Sequence, residues 1–337
     1  MPVCFICKRE SAQEVFAARE MVHGTRESFQ YSLCGACGTL ALVDPPADLA
    51  PYYRNYYSTG RLGANPFDRG GGRLYRGSAN RLKKLLLRHS VFGSGALARY
   101  IYRRKTVGLL GWGPIFTELR QLGIPVSQKT SFLDVGCGNG VGLHFLAYAG
   151  FTNLTGCDPF IDEEIKISPH GKILKTSIEM VQGRFDVIMF HHCFEHLPDP
   201  ASALESAVAL LAPGGIIIVR IPNIASVEFL KHKGNWWGIH APRHFFLPSL
   251  AAMRLMATGA GIEILDAYCD SRYDHYLYST EYELDIHDRH PLSFRADSQG
   301  LWTRHELKEA QEKAELFNRK MCGDWITYIL RLSPGES

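Results

Sequence analysis

The sequence predicts an α/β protein: a doubly wound, mainly parallel sheet with a small metal-binding domain ahead of it. Three observations carry that expectation. From residue 130 strand and helix patterns alternate, a glycine-rich loop joins the first strand to the first helix, and two C-x-x-C pairs lie near the amino terminus. With 337 residues, 46% hydrophobic and 21% charged, the chain has a globular composition, which excludes collagenous, coiled-coil and disordered classes. The first thirty residues hold no apolar run of a secretory signal, and nowhere do eighteen apolar residues follow one another. A cytoplasmic protein is therefore expected, whose nine cysteines stay reduced or bind metal.

At the amino terminus, Cys4-Phe-Ile-Cys7 and Cys34-Gly-Ala-Cys37 form two knuckles, each a tight turn aiming two thiolates at one point. Four thiolates complete a tetrahedral shell with no open position, so zinc held by Cys4, Cys7, Cys34 and Cys37 is expected to be structural. Gly38 follows where the backbone must bend round the metal. The spacer suits a two-stranded excursion, EVFAARE and ESFQYSLC. The alternative is four thiols that never meet. A redox pair is disfavoured because no βαβ pattern surrounds either knuckle.

The formal net charge of +3 is unevenly spread. Residues 61–105 hold twelve Lys or Arg against one acid, Asp68. Leu82, Leu85 and Leu86 punctuate this stretch like the apolar stripe of a surface helix, so an anionic acceptor or an anionic membrane surface is an expected partner; the alternative is a solvated helix whose leucines pack on the following domain while its cations offset the acidic remainder.

SFLDVG reads as a buried strand, GVGLHFLAYAG as a helix with Leu143, Leu146 and Ala147 on its inner face and Gly150 at its end, and NLTGCDP as the second strand. The loop between the first two runs Asp134-Val-Gly136-Cys-Gly138-Asn-Gly140. A dinucleotide site wants G-x-G-x-x-G, but here the third glycine comes one residue early. Asp134 would repel a phosphate and suits an ammonium group, while Asp158 at the tip of the second strand can accept both hydroxyls of a ribose. The favoured ligand is a nucleoside carrying an amino acid.

LDVGCGNG, CDP and EHLPDP together resemble the class I S-adenosylmethionine-dependent methyltransferases over about residues 128–332. The resemblance implies a seven-stranded Rossmann-like sheet, in which Asp134, Gly136, Gly138 and Gly140 shape the methionine side of the cofactor site, Asp158 holds the ribose, and KILKTSIEM lies near adenine through Ser177 or Ile178. CGACGTLALVDPPADLAPYYRNYY is similar to the zinc-ribbon head on many bacterial methyltransferases of sugar and surface-glycan pathways. The sugar C-methyltransferases of that group usually carry a further carboxy-terminal domain, which this chain is too short to hold, so oxygen is the expected acceptor atom. The organisation expected is a zinc-ribbon-like domain at 1–57, a basic, partly helical linker at 58–127, and a methyltransferase domain at 128–337 with an insertion at about 271–324.

The remaining strands read FDVIMFHH, GIIIVRIPN, IEILDAYC and DWITYILRL. Between the fourth and fifth, Asp199 caps a helix with Pro200 at its first position, Leu204, Val208 and Leu211 inside, and Gly214 after its last turn. HELKEAQEKAELFNRK is a helix within the insertion. FHHCFEHLPDP contains H-x-x-E-H (His192, Glu195, His196), the inverted zinc-protease motif, which needs a helix to bring both histidines to one face. At the end of a strand it lacks one. The motif is expected instead to supply proton transfer, with His196 or His191 as base and Glu195 as partner. EHLPDP also resembles the ubiquinone-biosynthesis O-methyltransferases, where acids and the histidine of this motif are associated with a divalent metal; His192 stands where that family has an acid. The alternative is that Glu195 and His196 only cap the next helix.

NWWGIHAPRHFF follows the fifth strand, and Trp237, Arg243 and His244 are its candidate substrate-binding residues, as an aromatic wall and a cation, or else an aromatic plug in the core. The expected function is methyl transfer to a small or carrier-linked acceptor, a sugar or glycan-precursor hydroxyl above all. The rival readings are an RNA methyltransferase using the zinc head and basic segment, and a non-catalytic zinc scaffold. Against RNA, the basic stretch interleaves its charges with leucines instead of planar aromatics.

Overall fold

The computed structural model describes residues 3–53, 87–88, 91–92, 113–168, 171–296 and 301–334. The basic stretch 61–105, with Leu82, Leu85 and Leu86, lies outside the described residues apart from 87, 88, 91 and 92. The chain divides into two compact units: Met1–Tyr57 with Phe190–Ala209 and Ile217–Ser337, and Ser58–Met189 with Leu210–Ile216.

The expected two-stranded excursion is present: β1 (Gln13–Arg19) and β2 (Ser28–Cys34) pair antiparallel, and β3 (Leu40–Leu42) pairs with β2. Phe29 and Tyr31, two apart on β2, are both buried, the period that puts alternate side chains on one face. A single turn of helix, α1 (Ala50–Tyr53), follows.

In the second unit, α2 (Gly113–Gln121) precedes β4 (Ser131–Val135), all five of whose residues are buried, as a parallel strand covered on both faces requires. Next comes α3 (Val141–Ala149), ended by Gly150 at φ 110°, whose N–H turns back to the Leu146 and Ala147 carbonyls. Beyond it, β5 (Asn153–Cys157) lies parallel to β4, with β6 (Ile165–Ser168), β7 (Gly171–Leu174) and β8 (Phe185–His191) following. β7 is parallel to β5 and β6 antiparallel to β7.

Helix α4 (Pro200–Ala209) starts where expected, with Asp199 Oδ1 accepting the Ser202 N–H at 3.1 Å. It ends sooner than expected. The Leu210 carbonyl accepts the Phe185 N–H, which draws the chain into the sheet, so Leu211 begins β9 (Leu211–Pro222) and Gly214 lies inside that strand at φ 75°. Then follow α5 (Val227–His232), β10 (Phe246–Leu247), α6 (Leu250–Gly259), β11 (Ile262–Cys269), α7 (Asp274–Glu283), α8 (Arg304–Arg319) and β12 (Trp325–Leu332).

Strand order in the large sheet is β11-β12-β9-β8-β4-β5-β7-β6, a mixed Rossmann-like arrangement of eight strands where seven were expected. The extra one is β6, a four-residue edge strand too short to show a period and marked by the exposed Lys166. The smaller sheet runs β1-β2-β3-β10, so the amino-terminal strands are completed by Phe246–Leu247. Helix α8 carries the expected insertion helix behind a Thr303–Glu306 capping box. Helix α7 was not expected: it is buried along most of its length, including Asp274, His275 and Glu281, so it has no polar face to give it a helical stripe. His232 ties α5 to α7, with Glu228 Oε2 at 3.0 Å on one ring nitrogen and Glu283 Oε1 at 2.7 Å on the other. Among the described residues no helix is long and apolar enough to cross a membrane.

Gly234 shows how closely the main chain after α5 meets the amino-terminal hairpin. A Cβ there would stand 1.9 Å from the Ala17 carbonyl oxygen on β1. Gly234→Ala is therefore expected to lower unfolding free energy by at least the about 1–3 kcal/mol typical of overpacking, read as a lower urea midpoint at unchanged slope.

Candidate active site

The glycine loop is shaped by backbone that only glycine adopts freely. Gly136, Gly138 and Gly140 have φ of 62°, 53° and 75°. A Cβ at Gly140 would lie 2.5 Å from Ile173 Cδ1 and 2.7 Å from Ile167 Cδ1, so a side chain is excluded as well as strained. Asp158 fastens the loop: its Oδ2 accepts the Gly138 N–H at 2.9 Å and its Oδ1 the Phe160 N–H at 2.8 Å. Each oxygen keeps a lone pair for a ligand hydroxyl. Asp134 is only 4% exposed, and burial, then the Asp158 charge, pushes its carboxyl up to about 8. Among the described residues neither acid has a cation partner. Two buried acids without a cation suit a ligand that brings an ammonium group and hydroxyl donors, so the residues present fit S-adenosylmethionine. Ser177 caps the single 3-10 turn Ile178–Met180 without a side-chain bond, Ile178 is buried, and Lys172–Leu174 of KILKTSIEM belong to β7.

The histidine-rich motif begins as a strand end. His191 closes β8, His192 turns the chain at φ 60°, and Phe194–His196 form one 3-10 turn. No helix sets His192 and His196 on one face, so the protease arrangement is absent. His192 Nε2 accepts from Arg220 Nη1, which leaves the hydrogen on Nδ1, 3.7 Å from Glu195 Oε1. Glu195 Oε1 also lies 3.9 Å from His244 Nε2, while Oε2 has no hydrogen-bond partner. Burial pushes the Glu195 carboxyl up to about 8.

His196 is oriented by main chain. Its Nδ1 donates to the Arg243 carbonyl at 2.8 Å, with the Tyr53 hydroxyl at 3.1 Å, so Nε2 keeps its lone pair for a proton. The expected Glu195 support is taken over by Arg243 O and Tyr53. Burial lowers His196 to about 4 and His191 to about 3, with the Arg220 charge adding to the latter. Glu195, His196 and His244 also bring their donor atoms within 4.8 Å of one another, close enough to share a cation.

The expected aromatic wall is interior. Trp236 donates to Asp324 Oδ1 at 3.0 Å, Trp237 stacks on His275 at 5.0 Å, and Arg243 is fully buried with Nη1 on the Tyr52 carbonyl at 3.3 Å. His244 donates from Nδ1 to the Gly238 carbonyl at 2.8 Å. Tyr53 and Arg220 were missed; in sequence a tyrosine after a turn and an arginine in an apolar strand give no signal of a histidine partner.

All four cysteine donors of the knuckles lie within 4.8 Å of one another. The Sγ separations of 3.7 Å for Cys4–Cys37 and 3.9 Å for Cys7–Cys34 exclude disulfides and match the about 3.8 Å edge that Zn–S bonds of about 2.3 Å give a tetrahedron. Gly38 bends there at φ 68°, as expected. Burial raises Cys37 to about 12; it acts on Cys34 too, but the Ser11 hydroxyl and the Cys37 and Ala36 N–H groups outweigh it and bring that thiol down to about 6.

Residues 110–267 match the family model of the methyltransferase domain. The ubiquinone biosynthesis O-methyltransferase of Bordetella avium is 30% identical over 156 residues, covering 40% of this chain and 63% of that one. The protein of the same name from Hydrogenovibrio crunogenus is 31% identical over 107 residues, covering 28% and 44%. The chain thus spans about half to two thirds of the length of these relatives. Among solved structures, the cyclopropane synthase MmaA2 from Mycobacterium tuberculosis aligns at a TM-score of 0.41 and 15% identity, covering 65% of this chain and 83% of that one. The family match thus makes residues 110–267 similar to a methyltransferase domain, and the Rossmann-like sheet agrees with that likeness.

An ammonium-bearing ligand held at Asp134 would give binding a pH signature. The folded Asp134 value of about 8 lies above the ordinary 3.8, so its contribution to stability is present below about pH 4 and is lost as pH rises through 8. Ligand-free Asp134→Asn should therefore melt higher than the parent at pH 9. In the parent, an ammonium group placed beside Asp134 drives off its proton. Calorimetry of S-adenosylhomocysteine binding at pH 7, in buffers of differing ionisation enthalpy, should read proton release, with affinity rising up to about pH 8; in Asp134→Asn both should vanish.

Proposed function

We propose that the protein is an S-adenosylmethionine-dependent methyltransferase acting on a hydroxyl of a small or carrier-linked acceptor, a sugar or glycan precursor being the expected class, with a structural zinc in its four-cysteine head. The observation that carries the reading is the glycine loop, whose three positive-φ glycines adjoin a buried acid pair with no cation partner among the described residues. Oxygen as the acceptor atom is supported by the O-methyltransferases the chain resembles and by His196, whose Nδ1–H is spent on a carbonyl and whose Nε2 is left to take a proton. The glycan class rests on the likeness of residues 34–57 to zinc heads of surface-glycan methyltransferases. The sulfur spacing supports zinc.

When bound, the cofactor supplies an electrophilic methyl group on a sulfonium whose sulfur leaves neutral. Asp134 meets the ammonium and Asp158 the ribose hydroxyls. His196 Nε2 receives the acceptor hydroxyl's proton as the new C–O bond forms. Holding the acceptor in line and dry accounts for most of the rate, because the leaving group is already good.

Incubating the protein with S-adenosylmethionine and candidate hydroxyl acceptors should yield S-adenosylhomocysteine and a methyl ether in equal amounts by mass spectrometry. His196→Ala should cut turnover by about 10²–10⁴ while cofactor affinity holds. Binding without turnover on any hydroxyl acceptor would overturn the reading. Elemental analysis should find close to one zinc per chain, lost in Cys34→Ser; a metal-free protein that is folded and active would rule out the zinc.

A further inference from the structure

Around Glu195 the side chains of the larger unit form a closed circuit. From Glu195 Oε1 it is 3.9 Å to His244 Nε2. Ring centroids then step 5.1 Å to His240, 4.5 Å to Trp237, 6.1 Å to Trp325 and 3.9 Å to His192, whose Nδ1 returns to Glu195 Oε1 at 3.7 Å. His275 lies against both indoles, at 5.0 Å and 4.2 Å. Among the described residues, two members of the circuit and the adjoining His275 carry a buried polar atom without a hydrogen-bond partner: Glu195 Oε2, Trp237 Nε1 and His275 Nδ1, in residues 1%, 5% and 2% exposed. A buried, unpaired polar atom costs about 1–3 kcal/mol, so three together indicate a group that arrives later and pairs with them.

The charges say what kind of group. Arg220 lies over Trp325 at 4.0 Å, but its Nε and Nη2 are spent on Asp270 at 3.0–3.1 Å and its Nη1 on His192. Arg295 lies over Trp237 at 5.2 Å and pairs with Asp288 Oδ2 at 3.0 Å. Both cations already face an anion, which leaves a phosphate or carboxylate ligand to pay desolvation with little in return. What the circuit offers instead is a protonated carboxyl group and imidazoles that burial keeps neutral, which can both donate and accept, together with an indole N–H that donates.

We propose that this circuit is the acceptor subsite and that it takes an uncharged molecule bearing more than one hydroxyl. The proposal rests on the methyltransferase reading and narrows its substrate class. A pyranose and a dihydroxyphenol share that chemistry, and separate arms of one experiment distinguish them.

With the full chain saturated by S-adenosylhomocysteine, methyl α-glucoside and catechol are titrated separately, following tryptophan fluorescence and saturation-transfer NMR. Glucose 6-phosphate serves as the anionic control. The expected result is saturable binding of one uncharged probe, weakened at least tenfold in Trp237→Phe, which keeps a ring and loses the N–H, and in Glu195→Gln. Binding of the glucoside points to a sugar acceptor and binding of catechol to a phenol. If Trp237→Phe does not fold, His275→Gln carries the same comparison. The proposal is overturned by tighter binding of the phosphate, by equal affinity in the folded variants, or by no probe binding while S-adenosylhomocysteine binds normally. Failure to bind S-adenosylhomocysteine at all would instead sink the methyltransferase reading, and the acceptor role with it.

Discussion

Residues 243–247 have to satisfy their main chain from two sides, and the candidate catalytic group depends on how they do it. On one side the Arg243 carbonyl takes the His196 Nδ1–H, and the Phe245 N–H donates to the Glu195 carbonyl. On the other, the His244 carbonyl takes the Tyr31 hydroxyl at 3.0 Å, the Phe245 carbonyl takes the Leu42 N–H, and Phe246–Leu247 pair with β3. A buried backbone group left unpaired here would cost about 1–3 kcal/mol. The amino-terminal strands are therefore not an appendage to this segment but half of its hydrogen-bonding. Cys37 joins them, its carbonyl accepting from Ser249, the residue that also caps α6. A metal that tightens the cysteine knuckles would stiffen β2 and β3, and through them the carbonyl that orients His196.

The acids show the opposite tendency, toward instability held in reserve. Among the described residues Asp134 and Glu195 are buried without a cation within hydrogen-bonding reach, and each is pushed up to about 8. Well-packed apolar residues would fold more stably at both places. Arg220 and Asp270 illustrate the settled alternative, a buried pair whose charges meet inside the protein. The contrast between a completed pair and an incomplete acid separates the settled pair from the proposed ligand-facing acids better than burial alone, since Asp134, Glu195 and Arg220 are buried and the Asp270 side chain is only 5% exposed.

Much of the fold was legible because its signals are local. The loop glycines, the caps of α3 and α4, the run of α8, and the strands β11 and β12 follow from period and from residues that stop or start an element. What failed was local too: β6 is too short to show a period, and α7 is buried on too many sides to show a stripe. In the site, Glu195, His196, Trp237 and His244 were nameable from two short motifs, but their arrangement was not. His192 meets Trp325, His275 meets Trp237, and Tyr53 meets His196, pairs separated by 38 to 143 residues whose meeting is decided by sheet order and not by spacing. The carrier of His196 orientation is a carbonyl, and main-chain atoms have no sequence signal at all.

In its proposed role His196, at about 4, is a weak base by the usual standard, which favours a value near the working pH. The chemistry of methyl acceptance relaxes that standard. A neutral hydroxyl is barely acidic before the reaction, but as its oxygen bonds to the incoming carbon it gains positive charge and becomes strongly acidic. Proton removal is then downhill even to a poor base, provided the base is unprotonated and correctly turned when the bond forms. Burial supplies the first condition by keeping His196 neutral, and the Arg243 carbonyl with Tyr53 supplies the second by fixing the hydrogen on Nδ1. The same burial that weakens the base also excludes water that would compete for its lone pair. Low basicity in this imidazole is thus a consequence of the dryness that methyl transfer needs, and it would cost the proposed reaction little.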